Sequence, residues 1–239
     1  SAQNMAVPIN FTASNVHPVQ TVISSTDPTR KDVTGGASLL LVLVFGFLVM
    51  LLVAMVFPYY LCRKGTPVAH PARGIFSAFV TLTVLNFCVL AFMALMSATL
   101  GWSPASWSMI LGVIAAIAAV GAATYQFFHV TFGRKIGGIF AAGLFALGVM
   151  VFGGVWPVAA IPRPLSIVHP FHPMTYAKGT FTRATDGIHD ATFWNGMTAL
   201  LGFTLIALFA SYVVFRARHL GTAKILDEHL FRSQAVAAA

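Results

Sequence analysis

One polar stretch of the chain, residues 153–194, contains side chains that zinc accepts as ligands. It holds three histidines and two aspartates: His169, His172, His189, Asp186 and Asp190. Their spacing matches no closed zinc motif, and two of the histidines adjoin prolines. Because loop histidines are usually only exposed to solvent, we predict no metal site and no cofactor.

The chain lacks two motifs that carry common enzymatic chemistry. The nucleophile motif G-x-S-x-G and the phosphate-binding motif G-x-x-x-x-G-K-[ST] are both absent. We therefore predict that the chain has no catalytic residues, is not an enzyme and does not itself hydrolyse ATP.

Three polar residues interrupt long apolar runs and could line a substrate path: Asn86, Gln126 and His129. A buried amide in a membrane helix more often bonds to a neighbouring helix, so packing is the favoured role of Asn86 and a substrate path is the alternative. His129 lies near the end of its run, where we expect it to be solvated. No charged residue occupies the interior of these runs, which disfavours a proton antiporter or ion pump.

The composition indicates an integral membrane protein. Hydrophobic residues make up 58% of the chain and charged residues 8%, whereas about a quarter of the residues of a soluble domain are charged. The net charge of +8 does not indicate nucleic-acid binding, because the basic residues lie at the ends of apolar runs and act there as topological anchors.

Five apolar stretches are each long enough to cross a bilayer, which takes about 20 helical residues. They span residues 38–61, 74–100, 106–132, 135–156 and 193–216. The predicted fold is an all-α polytopic membrane protein with five transmembrane helices, the lipid bilayer being its first partner. The polar residues 1–37 are interpreted as the remnant of an external domain with a strand-like piece at 7–12. Residues 217–239 form a tail with a short amphipathic piece at 223–231.

The distribution of basic residues predicts the orientation. The connection after the first stretch carries Arg63, Lys64 and Arg73, and further basic residues follow near Gly133 and in the tail. The loop 101–105 is uncharged, so the positive-inside rule places the N-terminus and residues 157–192 outside and the C-terminus in the cytoplasm. The tryptophans then form an outer aromatic belt: Trp102, Trp107, Trp156 and Trp194.

Prolines prevent the external segment from forming one straight helix. We predict a helix exit, a broken turn and one or two short helices, re-entrant or at the membrane surface. Residues 174–185 lack proline and Gly187 suits a helix C-terminus, so one of these helices is expected there.

Small residues recur at fourfold spacing on the third and fourth stretches. The rows are Ala115, Ala119 and Ala123, and Gly138, Ala142 and Ala146. Such rows favour close packing of two membrane helices, although alanine and glycine are also simply common in them.

Three short pieces of the chain resemble the YhgE/phage infection protein family, within the type-2 ABC exporter permeases. They are Gly153-Gly154 through Pro157, residues 165–176 (LSIVHPFHPMTY) with His169, Pro170, His172, Pro173 and Tyr176, and residues 15–19 (NVHPV). The order of the apolar and polar segments is also similar to that family.

The resemblance implies a permease in a bacterial plasma membrane, with a further helix and an external domain preceding Ser1. In such permeases the connection carrying Arg63, Lys64 and Arg73 couples to a separate ATPase chain, but here it is short and broken by prolines. Expected partners are that ATPase and a second copy of the chain or a larger membrane complex; no nucleic acid is expected.

Two functions remain. The first is a permease subunit of an ABC-type exporter or of an envelope or secretion machine, acting on an apolar or lipid-like substrate. The second is a non-transporting scaffold or receptor subunit of a larger complex.

Overall fold

A computed structural model describes residues 40–56, 71–99, 101–152 and 162–237. Every regular element in these ranges is a helix, so the all-α prediction is confirmed for them. The strand-like piece at 7–12 lies outside the described residues. The elements are a π-helical turn Leu40–Phe45, α1 Gly46–Val56, α2 Pro71–Thr99, α3 Trp107–Val151, α4 Arg163–Val168, a 3₁₀ turn His169–Phe171, α5 Pro173–Asp186 and α6 Ala191–Ala237.

Helix α3 folds back on itself at Gly133, where φ is +77° and the backbone is not helical. Glycine adopts this conformation without a steric penalty, because it has no Cβ. The two halves then meet: a Cβ at Gly137 would lie 2.5 Å from the Phe128 carbonyl oxygen, and the Phe132 and Phe140 ring centroids are 4.5 Å apart. We call the halves α3a (residues 107–132) and α3b (residues 134–151).

Helix α3a is the central helix of the bundle. Of its most apolar 18-residue window 56% is buried, against 22% for α2 and 17% for α6. Helices α1, α2, α5 and α6 all pack against α3. Helix α2 contributes a stripe of buried residues at helical spacing: Ile75, Leu82, Asn86, Leu90, Ala94 and Ser97.

The outer surface of this bundle is apolar. Large side chains such as Phe76, Ile139 and Phe209 are exposed, Ile139 by 72%. A protein in water rarely exposes continuous apolar faces of this kind, whereas lipid solvates them. Three helices are long and apolar enough to span a membrane, within Ala72–Thr99, Trp107–Gly133 and Ala191–Arg218; the apolar helices Val42–Val53 and Lys135–Val151 are shorter. The described chain is therefore that of a membrane protein.

The helix boundaries differ from the prediction in two places. Helix α2 already begins at Pro71, a residue suited to a first helical turn because it has no N–H to leave unpaired. Arg73 is consequently an exposed residue of a helix rather than of a loop. Helix α6 continues without interruption to Ala237, so the piece at 223–231 extends the last apolar helix and is not a separate element. Residues 57–61 and 153–156 of the predicted spans lie outside the described residues.

Candidate functional site

Helix α5 is the predicted proline-free helix, and both of its ends are capped. At its start the Met174 N–H donates to His172 Nδ1 at 3.1 Å, and Pro173 occupies the next position. At its end Gly187 takes the left-handed conformation with φ +71°. The helix and its glycine stop, both inferred from sequence, are confirmed.

His172 fixes the start of α5 to α3b. Its Nε2 donates to the Leu144 carbonyl at 3.1 Å, since a carbonyl can only accept. Its ring packs so closely on Gly148 that a Cβ there would lie 2.5 Å from Cε1. Both ring nitrogens are used by the neutral imidazole. His172 is therefore a structural cap and not a free ligand.

One face of α5 is buried in the bundle. It consists of Met174, Ala177, Thr180, Phe181 and Ala184. Against it α6 approaches at Gly196, where a Cβ would lie 2.2 Å from Thr180 Oγ1. Two turns further along α6, the ring centroid of Phe203 lies 5.9 Å from that of Tyr176 on α5. The contact on α6 moves forward from Gly196 to Phe203, while its partner on α5 moves back from Thr180 to Tyr176. The two helices therefore run antiparallel.

Polar and aromatic contacts hold the end of α5. Arg183 Nε lies 2.9 Å from both carboxylate oxygens of Asp190, and these bonds lower the pKa of Asp190. Asp190 also caps α6, accepting from the Phe193 N–H at 2.8 Å. The Phe181 ring stacks on Trp102 at 5.6 Å. This end of α5 therefore lies beside the loop between α2 and α3.

The contact between Trp102 and α5 contradicts one part of the predicted aromatic belt. Trp102 is only 4% exposed, whereas Trp107 and Trp194 are exposed by 40% and 57%. Trp102 therefore serves as a packing residue between α3 and α5. Trp156 lies outside the described residues.

The start of α5 reaches the middle of the bundle. A cavity of about 20 Å³ lies there, lined by side chains of α1, α3a, α3b and α5. They include Phe47, Gly121, Tyr125, Leu144 and Met174. Gly121 lies about 20 Å along α3a from Trp107, and the 14 residues of α5 cover a similar length. Helix α5 thus runs from mid-bundle to one end, which favours the re-entrant interpretation over a helix lying flat across that end.

The other singled-out residues of the polar stretch 153–194 make local contacts. A ring nitrogen of His169 bonds the Val151 carbonyl, and Tyr176 donates from its hydroxyl to the Pro170 carbonyl at 2.8 Å. His189 is exposed and lies edge-on to Phe193. Among the residues that the structure describes, no three His, Cys, Asp or Glu side chains converge as a metal site would require.

Several predicted site residues belong to other parts of the chain than those that the structure describes. Gly153, Gly154 and Pro157 lie outside the described residues, as do Arg63 and Lys64.

Two polar side chains of the bundle join α2 to α3a. Asn86 Nδ2 donates to the Ala118 carbonyl at 3.4 Å, and Gln126 Nε2 donates to the Ile75 carbonyl at 3.1 Å. Both side chains are buried. The bond from Asn86 between two helices agrees with its favoured role, and the choice between packing and a substrate path stays a prediction.

The expectation that His129 is solvated is wrong. Its side chain is 6% exposed, and Nδ1 donates to the Tyr125 carbonyl at 2.6 Å in its own helix. The cause is the hairpin, because α3b returns beside this turn and Gly137 approaches the His129 Cα.

Three contacts of the structure were not predicted from the sequence. The Arg183–Asp190 pair had a usable signal, since Asp190 lies three residues before the last apolar run at 193–216 and aspartate is a preferred N-cap. The Tyr125 hydroxyl, which donates to the Phe47 carbonyl at 3.4 Å, had none. The contact of Gly196 with Thr180 also had none, because it depends on how two helices meet.

Comparison of the chain with protein-family models, with curated protein sequences and with solved structures found no match.

Proposed function

We propose that this chain is a membrane permease subunit of an ABC-type exporter or of an envelope or secretion machine, with α5 as its movable gate. The observation that carries the proposal is the lengthwise packing of α5, from mid-bundle to one end, against α3 and α6.

A helix of this kind is suited to gating. It does not cross the whole bundle, so it can shift without exposing a new span to lipid. Its start is tied to α3b through His172 and its end to α6 through Asp190. For it to move, these polar contacts would have to break and its buried face would have to slide against α3 and α6.

The charge distribution supports an apolar or lipid-like substrate. The interiors of α2, α3a and the apolar part of α6 contain no Asp, Glu, Lys or Arg, and charged substrates usually need such partners in a membrane. No phosphate-binding motif is present in the sequence, so the energy would come from a separate ATPase chain.

The substrate would cross at a boundary between chains. The mid-bundle cavity has room for about one water molecule. The exposed apolar faces of α2 and α6 offer a surface on which a second copy or a partner would complete a path wider than this cavity.

The proposed topology has five spans, α1, α2, α3a, α3b and α6, in a bacterial plasma membrane with the N-terminus outside and the C-terminus in the cytoplasm. It is tested with single cysteines at two exposed positions, His189→Cys and Lys135→Cys, after replacement of Cys62 and Cys88 by serine. An impermeant maleimide added to intact cells should label the first position and spare the second. The reverse pattern would invert the topology and remove the outer gate.

Locking α5 tests the gating function directly. The Cβ positions at 196 and 180 are 3.5 Å apart, which suits a disulfide, so Thr180→Cys with Gly196→Cys should crosslink α5 to α6. Oxidation should stop ATP hydrolysis by the co-purified partner and change the lipid composition of the envelope, and reduction should reverse both. The controls are the Thr180→Cys single variant under oxidation and the double variant kept reduced, because Gly196→Cys alone would place its Cβ 2.2 Å from Thr180 Oγ1. Unchanged hydrolysis and composition on oxidation would reject the gate.

The second candidate is a non-transporting scaffold or receptor subunit. The small size of the mid-bundle cavity favours it, because this cavity has room for about one water molecule and not for a substrate. Crosslinking in native membranes followed by purification separates the two functions. An ATP-binding chain among the captured neighbours supports the exporter, and a larger transporter or secretion assembly without one supports the scaffold.

A further inference from the structure

Three buried polar side chains of α2 and α3a each have one side-chain atom without a hydrogen-bond partner. They are Asn86, Gln126 and His129, exposed by 0%, 1% and 6%. Within the described part of the chain, no group pairs with Asn86 Oδ1, Gln126 Oε1 or His129 Nε2. We call these three atoms the acceptor row. An unpaired polar atom in an apolar interior costs free energy, so three of them in one region indicate a group that binds there.

The bonds that these side chains do make fix the chemistry of the unpaired atoms. Asn86 and Gln126 each contact a backbone carbonyl of the facing helix, and a carbonyl only accepts. The amide nitrogens therefore lie at the carbonyls, and the unpaired atoms are the oxygens. His129 Nδ1 donates to the Tyr125 carbonyl, so Nε2 of the neutral ring carries a lone pair. All three atoms of the row are hydrogen-bond acceptors.

The acceptor row extends from the middle of the bundle toward the hairpin at Gly133. Asn86 lies beside Gly121, where a Cβ would be 3.8 Å from Nδ2. His129 follows Gly121 by eight residues, which is about 12 Å along α3a. Gln126 lies between them and is a neighbour of His129 on the helix surface, three residues away. A group that enters from the Gly133 end therefore meets His129 and Gln126 before Asn86.

The class of ligand follows from the acceptors and from the charge around them. An ionised phosphate or carboxylate has only acceptor atoms and would leave the row unpaired. Helices α2 and α3a contain no Asp or Glu that would balance an ammonium group in the membrane. An uncharged hydroxyl group meets both conditions, because it donates a hydrogen bond and brings no charge.

Helices α2 and α3a must part for a ligand to reach the row, because all three side chains are buried. The side-chain bonds from Asn86 and Gln126 join the two helices, at 3.4 Å and 3.1 Å. The first of these is long for an N–H···O bond and is therefore weak. Hydrogen bonds from a hydroxyl to the unpaired oxygens would offset the loss of these contacts.

We propose that the acceptor row binds the hydroxyl head group of an uncharged lipid. Asn86, Gln126 and His129 accept from the head group, and the acyl chains stay in the surrounding bilayer. The inference rests on the proposed exporter function and names its substrate class, a neutral lipid whose head donates hydrogen bonds.

Competition between two lipids tests the row. The full chain is reconstituted in phosphatidylcholine nanodiscs, whose lipid head has no donor, with a dioleoylglycerol probe that carries a photoreactive diazirine in one acyl chain. Unlabelled dioleoylglycerol should displace the probe at about tenfold lower concentration than its methyl ether, because the ether cannot donate to a buried acceptor.

Three variants locate the preference. Gln126→Met and His129→Phe each remove one acceptor of the row and should each reduce the difference between the two lipids. Asn195→Leu removes an exposed amide of α6 outside the row, so this matched control should keep the difference.

Equal displacement by the two lipids in the unchanged chain would overturn the proposal. A difference that survives undiminished in Gln126→Met and His129→Phe would do the same, and if one of these variants does not fold, the other decides. The disulfide between positions 180 and 196 keeps the two proposals apart. A lipid preference without any effect of that disulfide would retain the lipid site and reject the gate, and the opposite result would reject the lipid site alone.

Discussion

The contact between Gly196 and Thr180 predicts that one added methyl group will separate α5 from α6. In Gly196→Ala the new Cβ would lie 2.2 Å from Thr180 Oγ1, and about 1.2 Å of displacement is needed to reach the 3.4 Å of ordinary contact. The Thr180 hydroxyl cannot rotate away freely, because it is buried and donates to the Tyr176 carbonyl at 2.7 Å. Overpacking of this kind costs about 1–3 kcal/mol.

The chain offers a matched control and a rescue. Gly202 is in the same helix and a Cβ there meets nothing within 4 Å, so Gly202→Ala should be neutral or gain up to about 1 kcal/mol of helix propensity. Thr180→Ala removes the clashing oxygen and leaves the Thr180 Cβ position at 3.5 Å, an ordinary contact. In the Thr180→Ala background, Gly196→Ala should therefore cost little.

The assay is denaturant unfolding of the purified chain in detergent micelles, followed by tryptophan fluorescence, with all four members of the double-mutant cycle. Trp102 reports directly because it stacks on Phe181 of α5. The expected coupling energy between positions 196 and 180 is about 1–3 kcal/mol. If Gly196→Ala is as stable as Gly202→Ala, or if the Thr180→Ala background does not rescue it, the close approach of the two helices is wrong.

Three further predictions concern the ends and the buried face of α5. His172 caps α5 through Nδ1 and bonds the Leu144 carbonyl through Nε2, so His172→Asn, which keeps a cap acceptor, should melt above His172→Ala, and equal melting would contradict the cap. The hydrogen bond from Arg183 lowers the pKa of Asp190. The contribution of the ionised Asp190 to stability should therefore be present above the ordinary carboxylate pKa and be lost on acidification through the lowered pKa. Asp190→Asn, which keeps an N-cap acceptor, should melt at a higher temperature than Asp190→Ala, and equal melting temperatures would contradict the cap. Phe181→Ala should lower the free energy of unfolding by about 3–5 kcal/mol in the same assay, because the Phe181 ring is buried. Phe171→Ala should change it little, because Phe171 is exposed. Equal effects of the two substitutions would contradict the buried face of α5.

The positions of the apolar helices were predictable because hydropathy and length are local properties. The predicted stretches at 74–100, 106–132 and 193–216 coincide with α2, α3a and the apolar part of α6 within a few residues. The start and stop of α5 were also predictable, since Pro173 and Gly187 act through their own backbone preferences. The number of spans beyond the three long helices stays a prediction.

The packing faces were not predictable in the same way. The halves α3a and α3b do pack together as expected, but only part of the proposed rows is buried: Ala123 and Gly138 are buried, whereas Ala115 and Ala146 are exposed. The close contact is made instead by Gly137, which meets the Phe128 backbone. Both helices carry alanine and glycine on several faces. The spacing of these residues alone does not tell which face turns inward.

The sequence by itself determined that this chain is helical and membrane-embedded, and where its long apolar helices lie. Both properties follow from the composition of consecutive residues. Only the tertiary structure decided that α5 runs lengthwise into the bundle, that His129 is buried and that Arg218 meets the Gly133 turn. Each of these depends on residues far apart in the chain, and the hairpin at Gly133 brings their helices together.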